Sequence, residues 1–198
     1  MATLSTNIAT SNLMLLDYVM YVPFVDLGTT DLQEIDNTIT LPRFQDGNGL
    51  RVMCICQGVG TGYTTLTMNY INQDGDLKSA STLLEPSAST VGSFVNGFNA
   101  SNGVMWFNLQ RGDYGIRSIV SVQASTSVGA ICALVIVKPI CSIGLAEIST
   151  PCEVDYLIDR GSLPKVHNDA YLNFIAFNPS SSSTTSPSYY GFINFIWE

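Results

Sequence analysis

Hydrophobic and polar residues alternate along several short stretches of the chain, most clearly along Thr64–Ile71 (TTLTMNYI). Even positions from 66 to 70 are apolar and odd positions from 65 to 69 are polar, the period of a half-buried strand. Similar reasoning predicts further strands at Leu50–Gln57, Gly103–Leu109, Ile116–Ala124, Ala130–Lys138, Tyr171–Phe177 and Tyr190–Trp197. Helical periodicity is almost absent, and its one candidate, Asn12–Tyr21, fits a strand equally well.

Turn residues separate these stretches without intervening helices, which predicts an all-β fold: an antiparallel β-sandwich or a jelly-roll-like domain. Asn72–Gly75 predicts a tight turn, because Asp-Gly tolerates positive φ. The tripeptide Arg111-Gly112-Asp113 matches an integrin-recognition motif, but a turn between two strands is the favoured interpretation. Pro139 is expected to end the strand before it, since proline cannot donate to a β-ladder.

Two segments share one order of features: residues 41–72, the first segment, and residues 163–197, the second segment. Each begins with Leu-Pro and a basic residue and continues with a polar turn and a strand-like run. A loop of small polar residues and a Tyr-led second run complete it. We interpret the pair as one β-hairpin unit that is used twice in a single fold.

The expected domain plan is an N-terminal arm, residues 1–24, followed by a single β-sandwich domain, residues 25–198. A boundary near Pro139–Ser149 is the alternative, although residues 150–198 hold too few strands for a core of their own. The arm has an apolar stretch without an obvious strand partner, so it is expected to pack on a neighbouring molecule. The predicted interface consists of its large side chains: Leu13, Met14, Leu15, Leu16, Tyr18, Tyr21 and Phe24. Deleting residues 1–20 should then leave the β-domain folded.

The composition favours a protein whose surface contacts other protein subunits. Charged residues make up 12% of the chain, about half the usual ~25%. Neutral polar residues must therefore cover much of the wet surface, as expected for a subunit buried against others, or for a secreted or viral β-domain. The net charge is −8 with eight Lys and Arg residues and no basic run, which argues against direct binding of nucleic acid.

The residues offer little for catalysis or metal binding. The five cysteines include no CxxC pair, and His167 is the only histidine. We therefore expect no catalytic site, no metal and no cofactor. The N-terminus lacks a secretory pattern and no apolar run reaches the ~20 residues of a membrane span, so we expect no membrane association and free, mostly buried thiols in a reducing cytoplasm.

Exposed aromatic residues raise the question of a surface glycan. Tyr189-Tyr190 beside the Ser-rich loop, together with Trp106-Phe107, is compatible with a stacking platform. The favoured interpretation is that Tyr190 begins a strand and that Trp106 or Phe107 fills the core, because neighbouring residues of a strand point to opposite faces.

Three stretches follow one another over residues 36–197: LPRFQDG…LTMNYINQDG, then FNLQRGDYGIRSIVSVQAS…ALVIVKPI, then LPKV…YGFINFIW, with Leu109–Ser121 and Gly191–Trp197 the most telling parts. In this order the chain resembles small auxiliary or decoration proteins encoded with the capsid genes of tailed bacteriophages. The resemblance implies a β-rich, non-enzymatic virion protein, synthesised in the host cytoplasm. It would bind the major capsid protein on the capsid surface, often as a homo-oligomer. Alternatives are a glycan- or receptor-binding module on a head or tail fibre and a head–tail connector component.

Overall fold

The structure is a computed structural model that describes residues 2–6, 11–36, 40–95, 105–145, 147, 149–177 and 188–196. Its strands are β1 (Ala2–Thr6), β2 (Ser11–Asp26), β3 (Gln33–Glu34), β4 (Arg51–Gly58), β5 (Thr64–Asn72), β6 (Leu77–Leu84), β7 (Ile116–Ala124), β8 (Ile131–Leu145), β9 (Cys152–Val154), β10 (Leu172–Phe177) and β11 (Tyr189–Ile193). One short helix, α1, spans Tyr156–Arg160, and a 3-10 turn spans Pro86–Ala88.

The strands form three sheets, with the orders β11-β1-β9, β10-β2-β8-β4 and β3-β7-β5-β6. The strand pairs with a defined register are antiparallel. The fold is therefore all-β and sandwich-like, as the alternation predicts. The chain divides into two compact units, one of Met1–Asp17 with Pro139–Glu198 and the other of Tyr18–Lys138.

The larger unit, Tyr18–Lys138, has a continuous apolar core. β5 lies between β6 and β7, and its residues alternate strictly between buried and half-buried positions. β4 pairs with β8 from Arg51↔Val137 onwards. Fully buried side chains from these strands meet in the core, among them Val52, Leu66, Met68, Ile119, Leu134 and Ile136.

The smaller unit also buries apolar side chains, among them Leu15, Leu16 and Ile175. β10 pairs with β2 over Leu172↔Asp17 to Phe177↔Asn12, and β1 pairs with both β9 and β11. One cluster of its buried apolar residues consists of Leu13, Ile143 and Leu145, with partly buried Cys152, Val154 and Tyr189 against it.

Several strand predictions are confirmed. β7 has the predicted bounds, β4 is shifted from its prediction by one residue at each end, and β5 is one residue longer than predicted. The predicted turn at Asn72–Gly75 joins β5 to β6, with Gly75 at a φ of 90°. Leu77–Leu84 was not predicted as a strand, although its alternating exposed and half-buried positions are those of one.

Three strand predictions are wrong in whole or in part. The predicted strand Tyr190–Trp197 is too long, because β11 ends at Ile193 and residues 194–196 are irregular. Residues 105–109 of the predicted Gly103–Leu109 strand are irregular, and the rest of that stretch lies outside the described residues. β8 continues through Pro139 to Leu145 instead of ending before it. The ladder with β4 stops at Val137, so Pro139 removes no donor from that ladder.

The hairpin interpretation of the two segments is also wrong. β4 and β5 lie in different sheets, and so do β10 and β11. In the first segment, the loop after β4 is held by its backbone: the Thr61 amide donates to Val128 O at 2.8 Å. A Cβ at Gly60 would lie 2.2 Å from the same oxygen, so only glycine permits this approach. Each segment thus joins two sheets.

The predicted N-terminal arm is likewise wrong. Residues 11–26 form β2, whose first half pairs with β10, and the proposed boundary after residue 24 falls inside this strand. The partner was missed because it lies some 160 positions away in the chain. The division into an arm of residues 1–24 and one domain of residues 25–198 therefore does not follow the structure.

Helix α1 was not predicted and is short. The Asp155 side chain caps it by accepting hydrogen bonds from the amides of Leu157 and Ile158, and Gly161 ends it in the left-handed conformation. No helix in the described parts of the chain has the length and apolar character needed to cross a membrane.

Candidate partner-binding surfaces

The structure separates the predicted interface residues into a buried and an exposed group. Leu13, Leu15 and Leu16 are buried, and Met14 and Tyr18 are partly buried. The three leucines belong to the protein's own packing, so their assignment to an interface is corrected, whereas that of Met14 and Tyr18 stays a prediction. The exposed members are Tyr21, 55% exposed, and Phe24, 72% exposed.

One side chain holds Tyr21 and Phe24 in place. Gln57 on β4 accepts a hydrogen bond from the Phe24 amide at 2.8 Å and donates one to the Tyr21 hydroxyl at 2.7 Å. Both groups of its amide are therefore committed to this pair. These hydrogen bonds fix the backbone of Phe24 and the hydroxyl of Tyr21, while both aromatic rings stay exposed. This arrangement suits contact with another molecule. Sequence reasoning found the two aromatics but missed Gln57.

The backbone at Phe24 is strained. Its φ is 59°, in the left-handed region that residues with a Cβ rarely adopt. Such a conformation costs about 1–2 kcal/mol relative to the right-handed one. An exposed aromatic residue held in a strained conformation is a candidate for a functional role.

The second segment exposes many large apolar side chains. Its exposed large side chains are Leu163, Tyr171, Leu172, Phe174, Tyr190, Phe192, Phe195 and Ile196. In the first segment, Val59 and Tyr63 alone of the large hydrophobic side chains are exposed, whereas most of those on β4 and β5 are buried. The two segments share one order of sequence features, but their large apolar side chains differ in exposure. Those of the first segment are mostly buried, whereas many in the described part of the second segment are exposed.

Seven of these eight side chains, all except Leu163, lie in a stretch of the sequence without charged residues. Positions 170–197 contain no Asp, Glu, Lys, Arg or His. Interfaces are depleted of charged residues at their centres and enriched in aromatic ones. The charge-free run at positions 170–197 is the sequence signal that could have identified these exposed side chains.

The two faces of β11 differ sharply. Tyr189 and Ile193 are partly buried, and Tyr189 packs against the small core. Tyr190 and Phe192, 68% and 53% exposed, point to the opposite face. Glu153 on β9 shares that face with Phe192, because both residues are in register with Thr3. The outer face thus presents two rings and a carboxylate.

The four-aromatic platform considered for a glycan does not form as a set of exposed rings. Phe107 is 3% exposed and Trp106 is partly buried in the larger unit, so the core interpretation is confirmed for Phe107. Tyr190 lies in strand β11, as expected.

The Arg111-Gly112-Asp113 turn is part of a polar network, and the turn interpretation is confirmed. Gly112 has a φ of 101°, and the Asp113 amide donates to Gln110 O. Both carboxylate oxygens of Asp113 are engaged, one by the Tyr70 hydroxyl at 2.6 Å and the other by Asn72 Nδ2 at 2.9 Å. The carboxylate therefore supports the fold and is not free for a receptor.

Three of the five thiols lie together in the core of the larger unit. Cys54, Cys56 and Cys132 are buried, and Cys141 and Cys152 are partly buried. The hydrogen bond with Cys132, followed by burial, raises the pKa of Cys54, and burial raises the pKa of Cys56. Thiolates are the reactive and metal-binding form, so these thiols are suited to packing. Within the described ranges, no group of three or more His, Cys, Asp or Glu residues is placed to hold a metal ion.

Comparison with known proteins finds no matching family model, no matching curated protein and no matching solved structure.

Proposed function

We propose that the chain is a virion structural protein, an auxiliary (decoration) protein that binds the major capsid protein on the outside of a tailed-phage head. The observation that carries the proposal is the set of large apolar side chains that the second segment exposes, seven of them within the charge-free positions 170–197. Support also comes from the resemblance of residues 36–197 to such proteins and from the all-β fold.

The mechanism is physical. The apolar side chains that the second segment exposes supply the contact with the capsid. Binding of many copies to the assembled lattice, and not to free capsid subunits, stabilises the shell by mass action. Low charge suits this role, because few charged groups must lose water when the surface is covered.

Co-sedimentation with purified heads tests the proposal. Tyr190→Ser combined with Phe192→Ser removes two exposed rings of β11 and should weaken binding by about tenfold or more, as expected for aromatic anchors. Leu77→Ser is the matched control, because Leu77 is 64% exposed on a strand of the larger unit. Absence of binding by the wild-type chain, or equal weakening by the control, would contradict the proposal.

A glycan-binding module is the second candidate, favoured by the outer face of the β11-β1-β9 sheet. Phe192 and Glu153 lie on this face, where a ring can stack on a sugar and a carboxylate can accept hydroxyl hydrogen bonds. A glycan array tests this role. Signals that disappear in Phe192→Ala and in Glu153→Gln would favour it over decoration. A head–tail connector is distinguished by its position in the particle.

A further inference from the structure

Strand β10 has one open edge. It pairs with β2 along one side and ends its sheet order, so no other described strand pairs with it. The Phe174 amide donates to the side-chain Oδ1 of its neighbour Asn173 at 2.8 Å, which marks the Phe174 backbone as facing the open side. Backbone groups alternate in direction along a strand, so those of Leu172 and Ala176 face the same open side.

This edge lacks the features that usually prevent an exposed edge strand from pairing with another chain. Edge strands that stay unpaired usually carry charges, proline or a bulge. Positions 170–177 have no charged residue and no proline, and the register of Leu172–Phe177 with β2 runs without a shift. The Asn173 side chain accepts a hydrogen bond from the Phe174 amide, and the side chains of Leu172 and Phe174 are 37% and 51% exposed. The edge is thus suited to accept another strand.

We infer that β10 pairs antiparallel with β10 of a second copy of this chain, about a two-fold axis at Phe174. In this register Phe174 lies opposite Phe174 of the second copy, and Leu172 lies opposite Ala176. The three residues whose backbone groups face the open side then form the hydrogen-bonded pairs of the new ladder.

The second copy fits because the edge is complementary to itself. Residues opposite one another in an antiparallel pair share a face, so Leu172, Phe174 and Ala176 of both copies form one apolar stripe. The absence of charge at positions 170–177 means that two copies meet here without like charges, despite a net charge of −8 per chain. A two-fold contact also closes on itself and uses up both open edges. The inference goes beyond the proposed function, because pairing of two chains requires no particle.

Sedimentation of the full chain over a dilution series, without heads, tests the inference. Wild type should form a dimer. Phe174→Lys places two like charges side by side and should raise the dimer dissociation constant about tenfold or more. Phe192→Lys is the matched control, since Phe192 is 53% exposed and receives the same charge, and it should leave the dimer intact.

A second variant covers the case in which Phe174→Lys fails to fold. Residues opposite each other in a hydrogen-bonded antiparallel pair have Cα atoms about 5.5 Å apart, within disulfide range. Phe174→Cys should therefore yield a covalent dimer under mild oxidation, whereas Phe192→Cys and the wild type, with its own cysteines, should not. A monomeric wild type, equal weakening by both lysine variants, or equal cross-linking of both cysteine variants would overturn the inference.

Discussion

The Tyr70 hydroxyl donates a 2.6 Å hydrogen bond to the Asp113 carboxylate and accepts one of 2.9 Å from the Gln110 amide. Tyr70 is fully buried on β5, so one side chain joins the core to the turn before β7. Asn72 binds the other carboxylate oxygen of Asp113. The turn is therefore fixed from inside the larger unit.

Tyr70→Phe removes this link without changing the ring. It leaves the Gln110 amide without its acceptor and Asp113 with one donor fewer, so the free energy of unfolding should fall by about 1–3 kcal/mol. Tyr114→Phe makes the same change at an exposed ring and should alter it by less than about 0.5 kcal/mol. Denaturant unfolding measures both, and equal effects would show that the buried hydroxyl contributes nothing special.

The same pair predicts how stability depends on pH. Burial, together with the hydrogen bond to Asp113, raises the pKa of Tyr70 from 10.0 to about 12. Burial alone would raise the pKa of Asp113, but hydrogen bonds from Tyr70 and Asn72 and the charge of Lys78 outweigh it, so that pKa is lowered from 3.8.

The two shifts act at opposite ends of the pH range. Above pH 10 the unfolded tyrosine loses its proton while the folded one keeps it, so stability should fall between pH 10 and about 12. A carboxyl group with a lowered pKa stabilises the fold above its ordinary pKa of 3.8, and this contribution should be lost as the pH falls further. Tyr70→Phe should reduce the alkaline loss, and Tyr114→Phe should not. An unchanged alkaline limb in Tyr70→Phe would contradict the assignment.

Sequence patterns predicted strands better than strand partners. Ile116–Ala124 was found because its buried positions and flanking turns are local features. Residues 105–109 have an apolar pattern because Phe107 is buried, yet its amide donates to Val52 O without forming a regular ladder. The apolar pattern at residues 105–109 reflects burial, and burial alone does not specify the pairing of strands.

Long-range pairing also decided which interface residues were found. Leu13, Leu15 and Leu16 are buried on β2, which pairs with β10. The local pattern of the sequence cannot reveal such a distant partner. Phe24 is exposed, and its role as an interface residue stays a prediction, but its left-handed backbone depends on tertiary contacts such as that with Gln57. The open edge of β10 likewise becomes visible only once the sheet order is known.

Because β2 is an integral strand, its apolar side chains should matter for folding. Leu16 is fully buried, so Leu16→Ala should lower the free energy of unfolding by about 2–5 kcal/mol. Leu32→Ala, at a residue 52% exposed, should cost far less. Deleting residues 1–17 should abolish cooperative folding of the smaller unit, as measured by circular dichroism and thermal unfolding. A truncated chain with wild-type unfolding would restore the arm interpretation.

The strain at Phe24 predicts an inverted order of stability. Glycine accepts a φ of 59° without the penalty of a Cβ, so Phe24→Gly should be more stable than Phe24→Ala by about 1 kcal/mol. At Leu77, an exposed strand position, the order should be the usual one, with Ala above Gly. Both Phe24 variants should bind heads more weakly than wild type if the ring is a contact. Thermal unfolding and co-sedimentation separate the two effects.

The central claim is that this chain is a subunit on the outside of a capsid, and a reconstruction of the particle that encodes it tests this most directly. We expect repeated density for this chain at equivalent sites of the head lattice, with the second segment turned towards a protein neighbour. Density confined to the tail or to the head–tail junction, or no density for this chain in the particle, would contradict it.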